Sequence, residues 1–293
     1  MFNNEEFSSA EKLMGVYRKS VDYEQFVKVD NRTVENPTVS VIIVAYHTNE
    51  LLLECLKSLS NQYYKKYEII VVDNGGNESV QNTLTSMSIM YVQCPMNVIC
   101  AEGRNVGAYF AKGKYIAFLD DDTIVPNGYA KSIVQAFETY SIVGFRGKVL
   151  PRDENKNTFR PKHYDLGDIP VPSIIDTEGN SAFKRSIYLK MNGYNPLLFG
   201  AEGWELSFRI MEEYGTYVLI YWPDTVIYHD YAVSEEKRTL KKQRHAFMRK
   251  YISEKYPEAG LSREELKRHL VDDQSKRYAE ELIPRNPKQA VDN

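Results

Sequence analysis

Residues Val39–Ala45 read VSVIIVA, a β-branched run without polar alternation, which predicts a strand buried on both faces of a parallel sheet. Leu52, Cys55, Leu56 and Leu59 follow at i, i+3, i+4 and i+7 and give one apolar helical face. A second buried strand, YEIIVVD at Tyr67–Asp73, closes a β-α-β unit. The pattern then repeats with MYVQC at 90–94, a helix through Val106, Ala108 and Ala111 that stops at Gly113, and YIAFLD at Tyr115–Asp120. Such alternation predicts an α/β fold around a mostly parallel sheet flanked by helices. A further helix is expected through Ile133, Val134 and Phe137, then irregular Pro- and Lys-rich sequence over 151–172, then a motif-rich block over 176–231.

The two ends differ from this middle. Residues 1–36 are charged and mixed, with helical spacing around Phe7, Leu13, Met14 and Tyr17, and are expected to form an appended helical segment ending before Pro37. From residue 233 to 293 the chain is charged and helix-forming. Residues 235–250 carry seven Lys or Arg against two Glu, punctuated by Leu240, Phe247 and Met248, with Tyr251 just beyond. That segment suits either a helix lying on anionic lipid, giving peripheral membrane association, or a solvated or oligomer-forming helix.

Composition narrows the classes. The chain has 293 residues, 43% of them hydrophobic, enough for a real core and against disorder. With 37 Lys plus Arg against 40 Asp plus Glu, the net charge of -3 offers no global attraction to nucleic acid. Cys55, Cys94 and Cys100 are odd in number and lack a CxxC pair, so neither a disulfide framework nor a zinc cluster is indicated. The longest apolar run, 41–45, is far too short to span a bilayer, and the N-terminus lacks an apolar signal core, so a cytoplasmic location is expected.

In open sheets of this kind ligands bind beyond the carboxyl ends of the strands. Three polar clusters fall there: 46–49, 73–77 and Asp120, Asp121 and Asp122. Three adjacent carboxylates after an apolar strand repel one another, and a divalent cation would relieve them. Asp120 and Asp122 are two apart, so they point the same way if the backbone stays extended, and could share one ion. Oxygen ligands favour Mg²⁺ or Mn²⁺, whose shells are commonly completed by substrate phosphates. The same run also suits a helix cap in a solvated loop.

From about residue 37 to 231 the sequence resembles family 2 glycosyltransferases with the GT-A fold. The segments that carry the likeness are PTVSVIIVAYHTNELLLECLKSLSNQ, YEIIVVDNGG, AEGRNVGAYFAKGKYIAFLDDDT and GNSAFKRSIYLKMNGYNPLLFGAEGWELSFR. The resemblance implies a GT-A domain over 37–232, with a nucleotide-binding half at 37–127 and an acceptor half at 128–232. It implies a metal-dependent, inverting transfer of sugar from a nucleotide-sugar donor, a UDP-sugar, to a glycan or lipid-linked acceptor. Carried over residue by residue, Ala45 and Tyr46 would line the nucleoside pocket and Asp73 would bond the base or ribose. Arg104 would approach the base or diphosphate, with Asn105 and Gly107 shaping the helix beside it. Asp120 and Asp121 would face the donor, and Asp122, Asp120 and His229 the metal, Mn²⁺ or Mg²⁺.

One departure concerns the catalytic base. Inverting relatives read Glu-Asp after the glycines, whereas here Glu202 is followed by Gly203. Glu202, with Glu205 second, is therefore the expected base, and Trp204 the expected stacking surface for an acceptor sugar. The same stretch resembles the ExxE segment of polypeptide N-acetylgalactosaminyltransferases, which retain anomeric configuration. A catalytically silent nucleotide-sugar-binding scaffold and a nucleotidyltransferase are the competing readings. The second would want a glycine-rich basic phosphate loop that AYHTNE lacks.

Overall fold

The computed structural model describes residues 12–13, 15–76, 78–153, 160–230, 235–258 and 265–287. Phe7, Met14, Asn77 and the 231–233 boundary lie wholly or partly outside them, as does the side chain of Leu240. The apolar runs become strands β2 (Val39–Ala45), β3 (Tyr67–Asp73), β4 (Met90–Gln93) and β5 (Tyr115–Asp120). Parallel pairings β4-β3-β2-β5 make them the middle of a nine-stranded sheet. Helices α1 (Asn49–Ser60), α2 (Gln81–Ser86) and α3 (Ile99–Phe110) connect them, and α4 (Tyr129–Thr139) follows β5.

Alternate residues of β2 feed opposite faces. Val39, Val41 and Ile43 join the layer under α1 and α4, while Ile42 packs under α3. Both faces being covered explains why these strands read as nearly continuous apolar runs, interrupted by Ser40 and Glu68, which are bonded to each other.

The second half of the sheet is mixed. Strand β8 (Asn180–Lys184) runs antiparallel between β5 and β6 (Gly144–Leu150), and β9 (Leu219–Tyr228) lies parallel to β6, with the short β7 (Val171–Pro172) at the edge. Helix α5 (Arg185–Lys190) leaves β8, and α6 (Glu202–Tyr214) precedes β9.

The chain before residue 37 is not only helical. A helix covers 15–20, but Val27–Asp30 is an edge strand, β1, antiparallel to β4. Its Val-Lys-Val-Asp alternation is too short to stand out in sequence, and the open backbone of β4 recruits it. At the other end, α7 (Glu235–Lys255) and α8 (Asp273–Glu281) are folded back on the domain. Met248 and Ile252 of α7 are buried in the same cluster as α6. Ala279 and Ile283 are buried at α8, and the Asn286 amide donates to the carbonyls of Phe137, Glu138 and Tyr140. The apolar side expected to face lipid is therefore turned inward. No helix among the described residues is long and apolar enough to cross a membrane.

Candidate functional site

Strands β2, β3 and β5 end at the same edge, and their polar loops touch. A side chain at Gly76 would meet the His47 imidazole at 1.9 Å, so a bare backbone at φ +77° lets the loops close on one another. Ala45 is buried at the end of β2, whereas Tyr46 is 47% exposed, with its ring edge against His47. Asp73 is buried, and its carboxylate accepts from the Gly75 N–H at 3.0 Å and the Tyr91 hydroxyl at 2.6 Å. It thus builds the turn beside the pocket.

The three aspartates diverge. The backbone turns after Asp120, so the extended geometry under which Asp120 and Asp122 would share an ion is not met. Asp120 Oδ1 accepts from Arg104 at 3.0 Å. Asp121 Oδ2 accepts from the Thr48 hydroxyl at 2.5 Å and the Tyr46 N–H at 3.1 Å. Burial pushes the Asp121 carboxyl up to about 7 despite those bonds, with repulsion from its two neighbours adding to it. Asp122 Oδ2 lies 3.2 Å from His229 Nε2. Burial works against the charged form of Asp122, but the bond to His229 prevails and holds it below the usual carboxylate range.

Among the described residues no group of three or more His, Cys, Asp or Glu side chains converges as a metal cage. Asp122 and His229 do converge, as an oxygen and an imidazole donor. Such a pair fits a divalent metal that takes its remaining ligands from phosphate oxygens and water.

Arg104 lies within α3, 5% exposed, and links two carboxylates: Asp120 at 3.0 Å and Glu202 Oε1 at 3.1 Å. Its guanidinium also lies over the Tyr194 ring. Glu202 opens α6 after Ala201, which sits in the left-handed region at φ 67°. The second oxygen of Glu202 accepts from the Gly200 N–H at 2.8 Å. Both oxygens of the expected base are thus engaged.

Beyond Arg104 opens a cavity of about 840 Å³. It is lined by Asp120, Asp176, Glu178 and Glu202, by Lys162 and His163, and from α7 by Glu235, Lys242, His245 and Arg249. Glu205 does not reach it. Its carboxylate is bound by Arg209 and the Tyr256 hydroxyl and borders a separate cavity with Arg18 and Lys255. Trp204 is 7% exposed and packs against Phe208 in the core, so its ring is not a platform for a sugar. Glu202 and Glu205 of the ExxE stretch therefore face different cavities.

Sequence reasoning passes over Glu178, which sits in a TEGN loop with no spacing signal, and places Thr48 in the 46–49 cluster without foreseeing that it holds Asp121. Glu178 Oε1 accepts from the Gly203 N–H at 3.0 Å, and burial, reinforced by Glu202, pushes its carboxyl up to about 7. The one signal in the sequence is the glycine at 203.

Comparison with known proteins gives this arrangement a context. An uncharacterized glycosyltransferase of Bacillus subtilis, YwdF, is 26% identical over 190 residues, 60% of this chain and 69% of its own length. The Escherichia coli protein WfaP is named as a UDP-Glc:alpha-D-GlcNAc-diphosphoundecaprenol beta-1,3-glucosyltransferase. It is 34% identical over 87 residues, 29% of this chain and 35% of its own length. Among solved structures, a mannosyltransferase from Pyrobaculum calidifontis in complex with GDP-Man and Mn²⁺ superposes with a TM-score of 0.61 at 18% identity, covering 91% of this chain and 80% of that one. At that identity the likeness speaks for the GT-A fold alone. The model of "Glycosyl transferase family 2" matches residues 40–209, more than half of the chain, across both strand-end loops, the aspartate run and the start of α6. The chain belongs to glycosyl transferase family 2.

Proposed function

We propose that the chain transfers a sugar from a UDP-sugar, held with a divalent metal, to a hydroxyl of a glycan or lipid-linked acceptor, with inversion at the anomeric carbon. The observation that carries this reading is the 3.2 Å contact between Asp122 and His229, residues 107 apart in sequence, at the strand ends where nucleotide ligands bind. Asp122 and His229 would hold the metal, which supplies charge neutralisation to the departing diphosphate. Tyr46, exposed between the first two loops, offers a ring to the base, while buried Asp73 keeps that loop in shape. Arg104 keeps Asp120 oriented at the mouth of the cavity and balances its charge.

The UDP assignment draws support from the name of WfaP, and the GDP-Man complex of the Pyrobaculum enzyme supplies the competing donor. Cationic side chains on α7 and at 162–163 suit an acceptor bearing phosphate, as a lipid-linked one would. Calorimetric titration of UDP and GDP in Mn²⁺, followed by a panel of nucleotide sugars, tests the proposal. UDP is expected to bind more tightly, and Asp122→Ala to weaken it by roughly tenfold or more, within the range for loss of one metal ligand's contribution, with the thermal transition retained. Unchanged UDP affinity in Asp122→Ala would remove the metal from the reading.

A further inference from the structure

We infer that Glu178, rather than Glu202, is the general base that deprotonates the acceptor hydroxyl, its carboxylate entering the site from the loop before β8 to fill the space left open at Gly203. The inference rests on the transferase reading above and deepens it.

A base needs a lone pair that the acceptor can reach. Glu202 has one oxygen on Arg104 at 3.1 Å and the other on the Gly200 N–H at 2.8 Å. Taking up a proton there would break an ion pair with a buried guanidinium. Glu202 is thus placed to hold Arg104.

Glu178 is placed differently. Among the described residues its carboxylate takes only backbone N–H groups, that of Gly203 at 3.0 Å and its own, with no ion pair to break, and the side chain borders the cavity. A Cβ added at Gly203 would lie 2.9 Å from both Cγ and Oε1 of Glu178 and 2.6 Å from the Ile175 carbonyl oxygen. The volume that a side chain at 203 would occupy is therefore already filled, and filled by a carboxylate. In this chain the space beside Glu202 that the resemblance would give to an aspartate at 203 holds the Glu178 carboxylate. Glycine at 203 leaves room for Glu178, and a Cβ there would crowd both that side chain and the Ile175 carbonyl.

The surroundings suit proton uptake near neutrality. Glu202 and Arg104 are the charges that act on Glu178 most strongly, and Asp120, Lys162, His163, Asp176, Glu235, Lys242, His245 and Arg249 line the same cavity. Burial and the Glu202 charge outweigh Arg104 and raise the Glu178 carboxyl to about 7. In the transfer, the acceptor oxygen bonds to the anomeric carbon and its proton passes to Glu178. The bond from that carbon to the diphosphate oxygen breaks, and the diphosphate leaves with the electron pair.

The test compares Glu178→Gln and Glu202→Gln in the full chain, reading kcat, its pH profile, UDP affinity in Mn²⁺ and the thermal transition. Glu178→Gln keeps the acceptor for the Gly203 N–H, and is expected to lower kcat by roughly 10² or more with UDP affinity unchanged. The wild-type kcat is expected to rise with pH through about 7 as Glu178 loses its proton, and that limb should vanish in Glu178→Gln. A Glu178→Gln protein with kcat within about threefold of wild type and the limb in place would overturn the inference. So would loss of the limb in Glu202→Gln alone. If Glu178→Gln does not fold, Glu178→Asp, which withdraws the carboxyl by one methylene, decides the matter: the limb kept with kcat about tenfold lower supports the base, and unchanged kcat refutes it. A wild-type chain that binds UDP with Mn²⁺ yet transfers from no nucleotide sugar sinks the transferase reading together with this inference. Transfer that survives Glu178→Gln sinks this inference alone.

Discussion

Arg104 is the side chain on which the two halves of the site meet. It is 5% exposed, and its partners come from β5 and from the first residue of α6. Its removal leaves Glu202 buried without a counter-charge, whereas half-exposed Asp120 can turn to water. Arg104→Met is therefore expected to lower unfolding free energy by about 3–5 kcal/mol, the cost of breaking a buried pair, as read by urea denaturation. Arg104→Lys should recover only part of it, because an ammonium cannot bridge two carboxylates 98 and 16 residues away in sequence with one planar fork. Arg104 is singled out only by the family resemblance, whereas the aspartate run is legible in the sequence because adjacent carboxylates after an apolar strand demand a partner. Glu178 is not, since an acid in a loop is the commonest solvated residue, and only the packing around Gly203 distinguishes it.

At the scale of the element, α3 sits close on the sheet because two of its inward positions carry no side chain. A Cβ at Gly103 would fall 2.7 Å from Val44, and one at Gly107 would fall 2.2 Å from Ile42. Alanine at 107 would gain about 1 kcal/mol of helix propensity. It would also push the helix off a fully buried β-branched residue, which costs about 1–3 kcal/mol. Gly107→Ala is expected to lower the Tm, and the shift of α3 should also weaken UDP binding through Arg104; a raised Tm would show that the contact relaxes freely. Double burial keeps the runs of the parallel strands β2, β3, β4 and β5 almost wholly apolar, with the exceptions Ser40 and Glu68 buried near the strand starts and bonded to each other, so these strands are readable. Strands β1 and β8 are not, since β1 borrows its stability from the edge of β4 and NSAFK carries no alternation of its own. The same limit applies to the aspartates. A period of two holds only while the strand lasts, and the turn after Asp120 sends the three side chains to Arg104, Thr48 and His229 instead.

For the whole molecule, the C-terminal helices are part of the folded body. Met248 and Ile252 are buried, and α7 presents Lys242, His245 and Arg249 to the large cavity. With its apolar side spent on the domain, any attraction of α7 to a bilayer is left to charge. Retention on vesicles rich in anionic lipid is accordingly expected to disappear when the salt is raised to about 0.5 M, where the screening length falls to a few ångströms. Co-sedimentation that persists at that salt would mean that α7 leaves the domain and inserts. The charge of this segment is plain in the sequence. Its docking is not, because the mean pattern of a basic amphipathic helix is the same against protein and against lipid.

The contact between Asp122 and His229 is fixed by a small bridge behind it: Ile124 and Tyr228 exchange backbone hydrogen bonds of 3.0 and 2.8 Å. Tyr228 ends the last long strand, and that strand must be laid against β6 before the bridge can close. Residues 37–127, expected to form the nucleotide-binding half, therefore contain Asp122 but not the His229 that pairs with it. During synthesis Asp122 emerges about a hundred residues ahead of His229, so a metal site built on the two, as proposed above, would be assembled only once the sheet is finished.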